Sequence, residues 1–363
     1  MDKLDIAIIG AGVIGLAIAW EISRNTNKSI VIIEKNKKFG QEISSRNSEV
    51  IHSGIYYPTE MLKTRLCVEG NSLLYRFCSE NRVKHQRCGK LLIANHQDEI
   101  ASIGQIYEQS RNNGVAGELI DSNQIKKMEP LVKAQEAIHI PSSGTVDAHG
   151  LMQALYYQGQ QQGVIFLLNT EVIQIESIFG GYALNTPRET IKAEMIINCS
   201  GLNSDKVAAK AGIDVEKQGY CLHLCKGEYF KIRKKQNIHK LVYPLPDTNS
   251  LGIHLSTDSE GNIRLGPNAF YIKDIDYQVD EHHGDNFYKA AQSYLPWLER
   301  GEISPDFAGI RPKLQAPGEP IRDFIISEES NKGLPGLINL IGIESPGLTS
   351  CLAIAGYVKE MVK

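Results

Sequence analysis

The sequence is short of several things, and each shortage excludes something. No charge of one sign dominates its 363 residues: 39 Lys and Arg against 42 Asp and Glu leave a net charge of −3. Nothing therefore draws the chain as a whole to nucleic acid. The seven cysteines, Cys67, Cys78, Cys88, Cys199, Cys221, Cys225 and Cys351, are odd in number and irregularly spaced. That excludes a disulfide framework and points to reduced thiols in a cytoplasmic protein. No apolar run approaches the roughly 20 residues of a bilayer-spanning helix. There are no repeats, low-complexity tracts or long linkers, and no His-Glu-x-x-His, Gly-x-Ser-x-Gly or Walker loop. What remains is an ordinary globular composition, 42% apolar and 22% charged, with length for two domains or one large one.

What is present is concentrated first in Asp5 to Glu34. Ile6-Ala7-Ile8-Ile9 is a short buried strand. It runs into Gly10-Ala11-Gly12-Val13-Ile14-Gly15, then an apolar helix, then the strand Ile30-Val31-Ile32-Ile33, which ends on Glu34. Gly10 permits the tight turn, Gly12 lets a pyrophosphate approach the backbone, and Gly15 lets helix and strand pack closely. The helix N-terminus offers free N–H groups and the positive end of its dipole. Glu34, some 20 residues past the glycines, is placed for ribose hydroxyls, and an acid rather than an Arg there disfavours NADP. FAD and NAD remain. The same residues have the outward form of a signal peptide, with Ala17-Ile18-Ala19 as a cleavage site. Cleavage there would discard all three glycines, so the dinucleotide reading accounts for them better.

Farther along, periodicity predicts helices over Met61–Asn81, Asp98–Asn113, Ala148–Gln161, Asn286–Leu295 and Leu348–Met361. A shorter helix starts at Asp121-Ser122 and stops before Pro130. Strands are expected at Cys88–Ala94, Ala137–Ile140, Val164–Leu168, Glu171–Ile178, Tyr182–Thr186, Met195–Asn198 and Leu337–Ile341. Further strand pieces follow between Tyr220 and Gly266. The stretch Ser44 to Pro58 has no helical period and reads as an ordered loop that touches something. Met195–Asn198 followed by Cys199-Ser200-Gly201 repeats the design of the N-terminus. The fold class that follows is α/β: a discontinuous Rossmann-like dinucleotide domain with an inserted α+β, mainly antiparallel domain. The expected bounds are 1–84, 141–218 and 311–363 for the first, and 85–140 and 219–310 for the second. A dinucleotide domain opened by the glycines and closed by a C-terminal strand and helix favours a flavin over a nicotinamide. The helix start at Ser345-Pro346-Gly347 offers a second dipole end, suited to negative charge on a reduced flavin.

Arg46-Asn47-Ser48 with Val50-Ile51-His52-Ser53-Gly54-Ile55-Tyr56-Tyr57 resembles the flavin-contacting loop of L-2-hydroxyglutarate dehydrogenases and oxidases, FAD-dependent members of the D-amino-acid-oxidase superfamily. The likeness continues through Cys88-Gly89-Lys90-Leu91, Gly144-Thr145-Val146-Asp147, Lys226-Gly227-Glu228-Tyr229-Phe230, Leu241-Val242-Tyr243-Pro244, Gly266-Pro267-Asn268-Ala269, Ala308-Gly309-Ile310-Arg311 and Ser345-Pro346-Gly347-Leu348-Thr349. The resemblance spans nearly the whole chain. It implies FAD, and oxidation of a short 2-hydroxy dicarboxylate, L-2-hydroxyglutarate, to the 2-oxo acid by hydride transfer to flavin N5. FAD contacts are expected at Gly10, Gly12, Val13, Ile14, Gly15, Glu34 and Lys35. They continue at Arg46, Asn47, Ser48, His52, Ser53, Gly54, Ser200, Gly201, Pro346, Gly347, Leu348 and Thr349. Val172 is expected to meet adenine through its backbone.

The chemistry needs a base for the hydroxyl proton and cationic partners for two carboxylates. His52 and His254 are the histidine candidates, since an imidazole accepts a proton near neutrality; each competes with a purely packing role. Arg311 is the carboxylate clamp, against a surface ion pair. Tyr57, Tyr229 and Tyr243 are substrate donors, against plain core positions. Cys221, His223 and Cys225 alternate along a strand, about 6.6 Å per step, too far apart for one ion, so no metal is expected. The basic run Lys231 to Lys235 reads as a solvated face, with a docking patch for a membrane or an electron-transfer partner as the other reading. The acceptor implied is oxygen or a quinone, with peripheral contact at the inner face of a membrane left open. The competing functions are a glycerol-3-phosphate-type dehydrogenase, an amine or amino-acid oxidase of the same fold, and a flavin-binding protein without catalysis.

Overall fold

The computed structural model describes residues 3–245 and 252–362. Contacts divide the chain into two compact units, one of Met1–Ser45, Ala148–Leu224 and Arg311–Lys363, the other of Arg46–Asp147 and Cys225–Ile310. These bounds differ from the expected ones mainly at residues 46–84 and 141–147, which fall in the second unit. The helix Leu62–Glu80 explains the difference. Its Val68 packs on the second unit's cluster of Leu92, Ile138, Leu241 and Tyr243.

The first unit is built on an eight-stranded sheet. Leu4–Ile9 lies between Ile30–Ile33 and Thr190–Asn198, parallel to both, and Ile165–Leu167 extends the parallel run beyond Ile30–Ile33. The strand Thr190–Asn198 is longer than expected. Its first half pairs antiparallel with the hairpin strand Gly181–Asn185, and its last residues pair parallel with Leu334–Ile341. The strands Ile6–Ile9 and Ile30–Ile33 carry no polar residue because both faces are buried. The helix Val13–Ser23 packs against Ala148–Gln161 and Gly347–Lys359. Its Leu16, Ala17, Ile18 and Ala19 are all buried, so it is apolar on every side. The strand expected over Glu171–Ile178 is regular only from Gln174.

The second unit has a nine-stranded sheet. Its central order is His223–Ile232, Ile263–Leu265, Leu255–Thr257, Leu241–Pro244, Lys90–Ala94, Glu136–Ile140, Glu118–Asp121. Pairing is antiparallel except between Leu241–Pro244 and Lys90–Ala94. Alternation sends Leu91, Ile93 and Val242 into one core and Leu92, Ala94, Leu241 and Tyr243 into the other. A small three-stranded sheet joins Val50–Ile51, Gly144–Val146 and His85–Gln86. The sequence hid these two- and three-residue strands inside an apparent loop and a turn. Ile303–Lys313 is a strand despite Pro305 and Pro312, and Arg311 stands near its end. Leu251, expected to alternate with His254, lies outside the described residues. Among the described residues no helix is long and apolar enough to cross a membrane.

Candidate active site and cofactor cradle

In the first unit the three glycines have three different reasons. Gly10 sits at φ +106°, and a Cβ there would lie 2.5 Å from the carbonyl oxygen of Cys199. The crossing chain is fixed by Cys199 N–H donating to Ile9 O at 2.9 Å. A Cβ on Gly15 would lie 2.1 Å from Gly10 O, so helix and turn could not close. Gly12 is different: its Cβ would meet one atom, Ser44 Oγ at 3.0 Å. Its outer face is otherwise open, as a backbone approached by a phosphate must be. Ser44 Oγ accepts from Val13 N–H at 2.9 Å, so this loop already satisfies one helix-start donor.

Glu34 is buried. One carboxylate oxygen accepts from Ala11 N–H and the other from Asn36 N–H, each at 2.8 Å. Both oxygens keep a lone pair, so the acid ties the turn to the second strand and can still take ribose hydroxyls. The neighbouring Lys35 pairs with Glu42 at 2.7 Å. Val172 is buried, and its carbonyl accepts from Lys210 Nζ at 2.7 Å. Ser200 Oγ donates to Asn198 Oδ1 at 2.6 Å, and Gly201 has φ +56°. Behind this turn runs a buried polar chain: Asn198 Nδ2 donates to Asn339 Oδ1 (2.8 Å), and Asn339 Nδ2 donates to Glu329 Oε1 (3.0 Å). Tyr220 Oη donates to the same Glu329 oxygen at 2.8 Å. The last helix starts at Gly347 with Pro346 as its N-cap, one residue before Leu348 and two before Thr349, which is fully buried. The missing Cβ at Gly12, two helix starts and a buried ribose-type acid together fit FAD. Arg311 is half-buried near the end of the strand Ile303–Lys313.

In the second unit the loop from Arg46 to Tyr57 is held by backbone carbonyls taken up by buried amides. Asn71 Nδ2 donates to His52 O at 2.8 Å and to Ser142 O at 3.0 Å. Asn113 Nδ2 donates to Gly54 O at 2.8 Å and Tyr57 O at 3.0 Å. Asn47 Oδ1 accepts from Glu49 N–H at 2.9 Å, which supports Glu49 at φ +58°. A Cβ on Gly309 would lie 2.2 Å from Arg46 O, so the end of the loop needs that glycine. The Arg46 guanidinium lies 4.2 Å from the centre of the Tyr277 ring. Ser48 is half-buried and Ser53 buried.

His52 stands at the centre of this loop. Burial, with Lys90 and His254 nearby, holds its imidazole well below the ordinary histidine value of 6.5. It is therefore neutral at pH 7 and able to accept a proton. His254 stacks on Tyr243, ring centres 3.5 Å apart and planes 10° apart. Of the other expected donors, Tyr57 has the Lys63 ammonium 4.8 Å from its ring centre, and Tyr229 stacks on Phe307 (4.5 Å). The group that sequence reasoning missed is Lys90. It is fully buried, and its Nζ sits 4.0 Å from the centre of the Tyr243 ring. Desolvation pulls its ammonium down to about 8 from 10.5. A signal was available, because Lys90 heads an apolar strand whose two faces are both core.

The family model of the FAD dependent oxidoreductases matches residues 5–361. A mitochondrial L-2-hydroxyglutarate dehydrogenase of Arabidopsis thaliana is 34% identical, over 98% of this chain and 83% of the relative. The L-2-hydroxyglutarate dehydrogenase of Escherichia coli (strain K12) is 26% identical, over 99% and 93%. Among solved structures, the dithionite-reduced L-alpha-glycerophosphate oxidase of Mycoplasma pneumoniae with FAD bound superposes with TM-score 0.89 at 26% identity. That match covers 100% of this chain and 95% of the other.

Proposed function

The chain belongs to the FAD dependent oxidoreductase family, and on that premise we propose that it oxidises L-2-hydroxyglutarate, a short 2-hydroxy dicarboxylate, to 2-oxoglutarate. The observation that carries the reading is the 34% identity to an L-2-hydroxyglutarate dehydrogenase over 98% of the chain. It is supported by a neutral imidazole at the half-buried His52. Its cofactor is FAD, which when bound supplies the two-electron acceptor for the hydrogen on the substrate's α-carbon.

The residues divide the remaining work. Gly10, Gly12, Val13, Ile14, Gly15 and Glu34 hold the ADP half, with the start of Val13–Ser23 facing the phosphates. Ser200, Gly201 and the helix start from Pro346 to Thr349 hold the other half. His52 takes the hydroxyl proton on an imidazole nitrogen, and His254, fixed by its stack on Tyr243, orients the substrate. Arg311 supplies a planar guanidinium for a carboxylate. Tyr57 and Tyr229 keep their assignment as substrate donors, although Tyr229 is taken up in a stack with Phe307. We assign the electron acceptor to oxygen or a quinone, and the location to the cytoplasm or the inner face of a membrane.

Anaerobic mixing of the yellow holoenzyme with candidate acids tests this. L-2-Hydroxyglutarate should bleach the flavin's visible band and yield 2-oxoglutarate. Bleaching by glycerol 3-phosphate alone would move the function to that of the glycerophosphate oxidase, and bleaching by an amine alone to that of an amine oxidase. A band that no substrate bleaches would make this a flavin-binding protein without catalysis.

A further inference from the structure

We propose that Lys90 is a substrate-binding residue, the cation in the second unit that receives a carboxylate of the hydroxy acid at the sheet face carrying Tyr243 and His254. The proposal rests on the 2-hydroxy dicarboxylate reading above. Among the described residues, Lys90 is a lysine buried without a counter-charge. Lys90 has no exposed surface, and among the described residues no protein group accepts a hydrogen bond from its Nζ. Its nearest neighbours are aromatic faces, Tyr243 at 4.0 Å and Tyr56 at 5.5 Å. Register fixes the arrangement. Lys90 pairs with Leu241, and Leu92 pairs with Tyr243, so Lys90 and Tyr243 share one face of the sheet. His254 joins them by stacking on Tyr243.

The contrast with a lysine of the same unit is direct. Lys226 is also buried, but its Nζ donates to Asp276 at 2.6 Å and to the carbonyl of Gln278, and it lies 3.7 Å from Glu228. That is how a buried ammonium is usually compensated. Around Lys90 the groups are of another kind: Cys67 from the helix Leu62–Glu80, Cys88, His52, His254 and the two tyrosines. Burial pushes the Cys67 thiol up to about 12 and raises Cys88 and Tyr56, so these stay neutral at physiological pH. Among the described residues, none of these groups is a carboxylate. Three ammonium donors beside a candidate base therefore ask for an anion, and the substrate brings two. The four-carbon stem lets the ammonium swing out to meet one.

A pH dependence follows from the same geometry. If a carboxylate binds the protonated amine, affinity is full below the amine's own titration near 8. It falls about tenfold per unit above that.

The test titrates holoenzyme with glutarate, which has both carboxylates but no hydroxyl to oxidise. Binding is followed by the perturbation of the flavin spectrum from pH 7 to 9.5. The parent's Kd should rise steadily above about pH 8. Lys90→Met should weaken glutarate about 10- to 100-fold at pH 7 and lose the pH dependence, with normal flavin content. A parent Kd that stays flat to pH 9.5 overturns the proposal, and so does an unchanged Kd in Lys90→Met. The parent's profile decides alone should the variant not fold. A parent that L-2-hydroxyglutarate does not reduce would count against the proposed function, whereas a parent that is reduced, with Lys90→Met binding equally well, would count against Lys90.

Discussion

A cation kept in the core for a ligand should cost stability until the ligand arrives, and Lys90 gives that cost a size. Its amine is pulled from 10.5 to about 8, mainly by desolvation. At about 1.4 kcal/mol per unit, this is about 3 kcal/mol against the folded state. The sign follows from proton counting. Between about pH 8 and 10.5 the unfolded chain holds the proton and the folded one releases it, so the penalty vanishes above 10.5 and is complete below about 8. Lys90→Met keeps the length of the side chain and removes the charge. The variant should therefore be more stable than the parent by about 3 kcal/mol at pH 7. By pH 9.5 the charge contribution shrinks to about 1.4 kcal/mol and the gain falls with it. Guanidinium unfolding of both holoproteins, at equal FAD concentration and several pH values, measures this. A variant less stable than its parent at pH 7, with no trend toward pH 9.5, would refute the reasoning and mean that the ammonium has a compensating partner.

Three other outcomes are expected. His52→Ala should keep its flavin but be reduced by L-2-hydroxyglutarate about 10²–10⁴-fold more slowly in stopped flow. The parent's rate should show no acidic limb at 6.5, because His52 titrates well below that value. A parent-like His52→Ala beside a slow His254→Ala would move the base to His254. Gly10→Ala places a Cβ 2.5 Å from Cys199 O at φ +106°, so it should lower the unfolding midpoint and the flavin content. Gly104→Ala, where a Cβ meets nothing within 4 Å inside the helix Glu99–Asn112, should instead gain about 0.5–1 kcal/mol. Glu329→Ala leaves Asn339 and Tyr220 without their buried acceptor and Lys332 without its ion pair. It should cost about 3–5 kcal/mol in urea unfolding, and an effect under 1 kcal/mol would mean the chain of polar groups is filled by water.

The elements legible in the sequence are those whose pattern is local. The helix Ala148–Gln161 has the expected bounds. The short helix from Ser122 is opened by Asp121 and Gln124 in a reciprocal capping box and stops at Met128, before Pro130. The apolar strands around the glycine turn also stand where expected. Elements set by distant partners were not legible. Val50–Ile51 is a strand only because Thr145 and Gly144 lie opposite, and Ile325–Glu329, rich in acids, is one because it pairs with Leu334–Ile341. The helix Leu62–Glu80 was recognisable as a helix but not as part of the second unit, since its allegiance is decided by what Val68 packs on.

The site divides along the same line. The glycines and Glu34 were readable because their function is written in spacing. His52 was readable by resemblance, but not the amides of Asn71 and Asn113 that hold its loop from far along the chain. Lys90 shows what a strict strand reading would have needed. A lysine heading Leu91-Leu92-Ile93-Ala94 looks like a strand-end cation with its head in water. Two flanking strands exclude that, because Lys90 pairs with Leu241 on one side and with Ile140 on the other. An internal strand with core on both faces leaves no outward position, so any charge on it is buried whatever its place in the run. Local pattern and tertiary burial disagree at this residue, and such disagreements concentrate where a protein trades stability for chemistry.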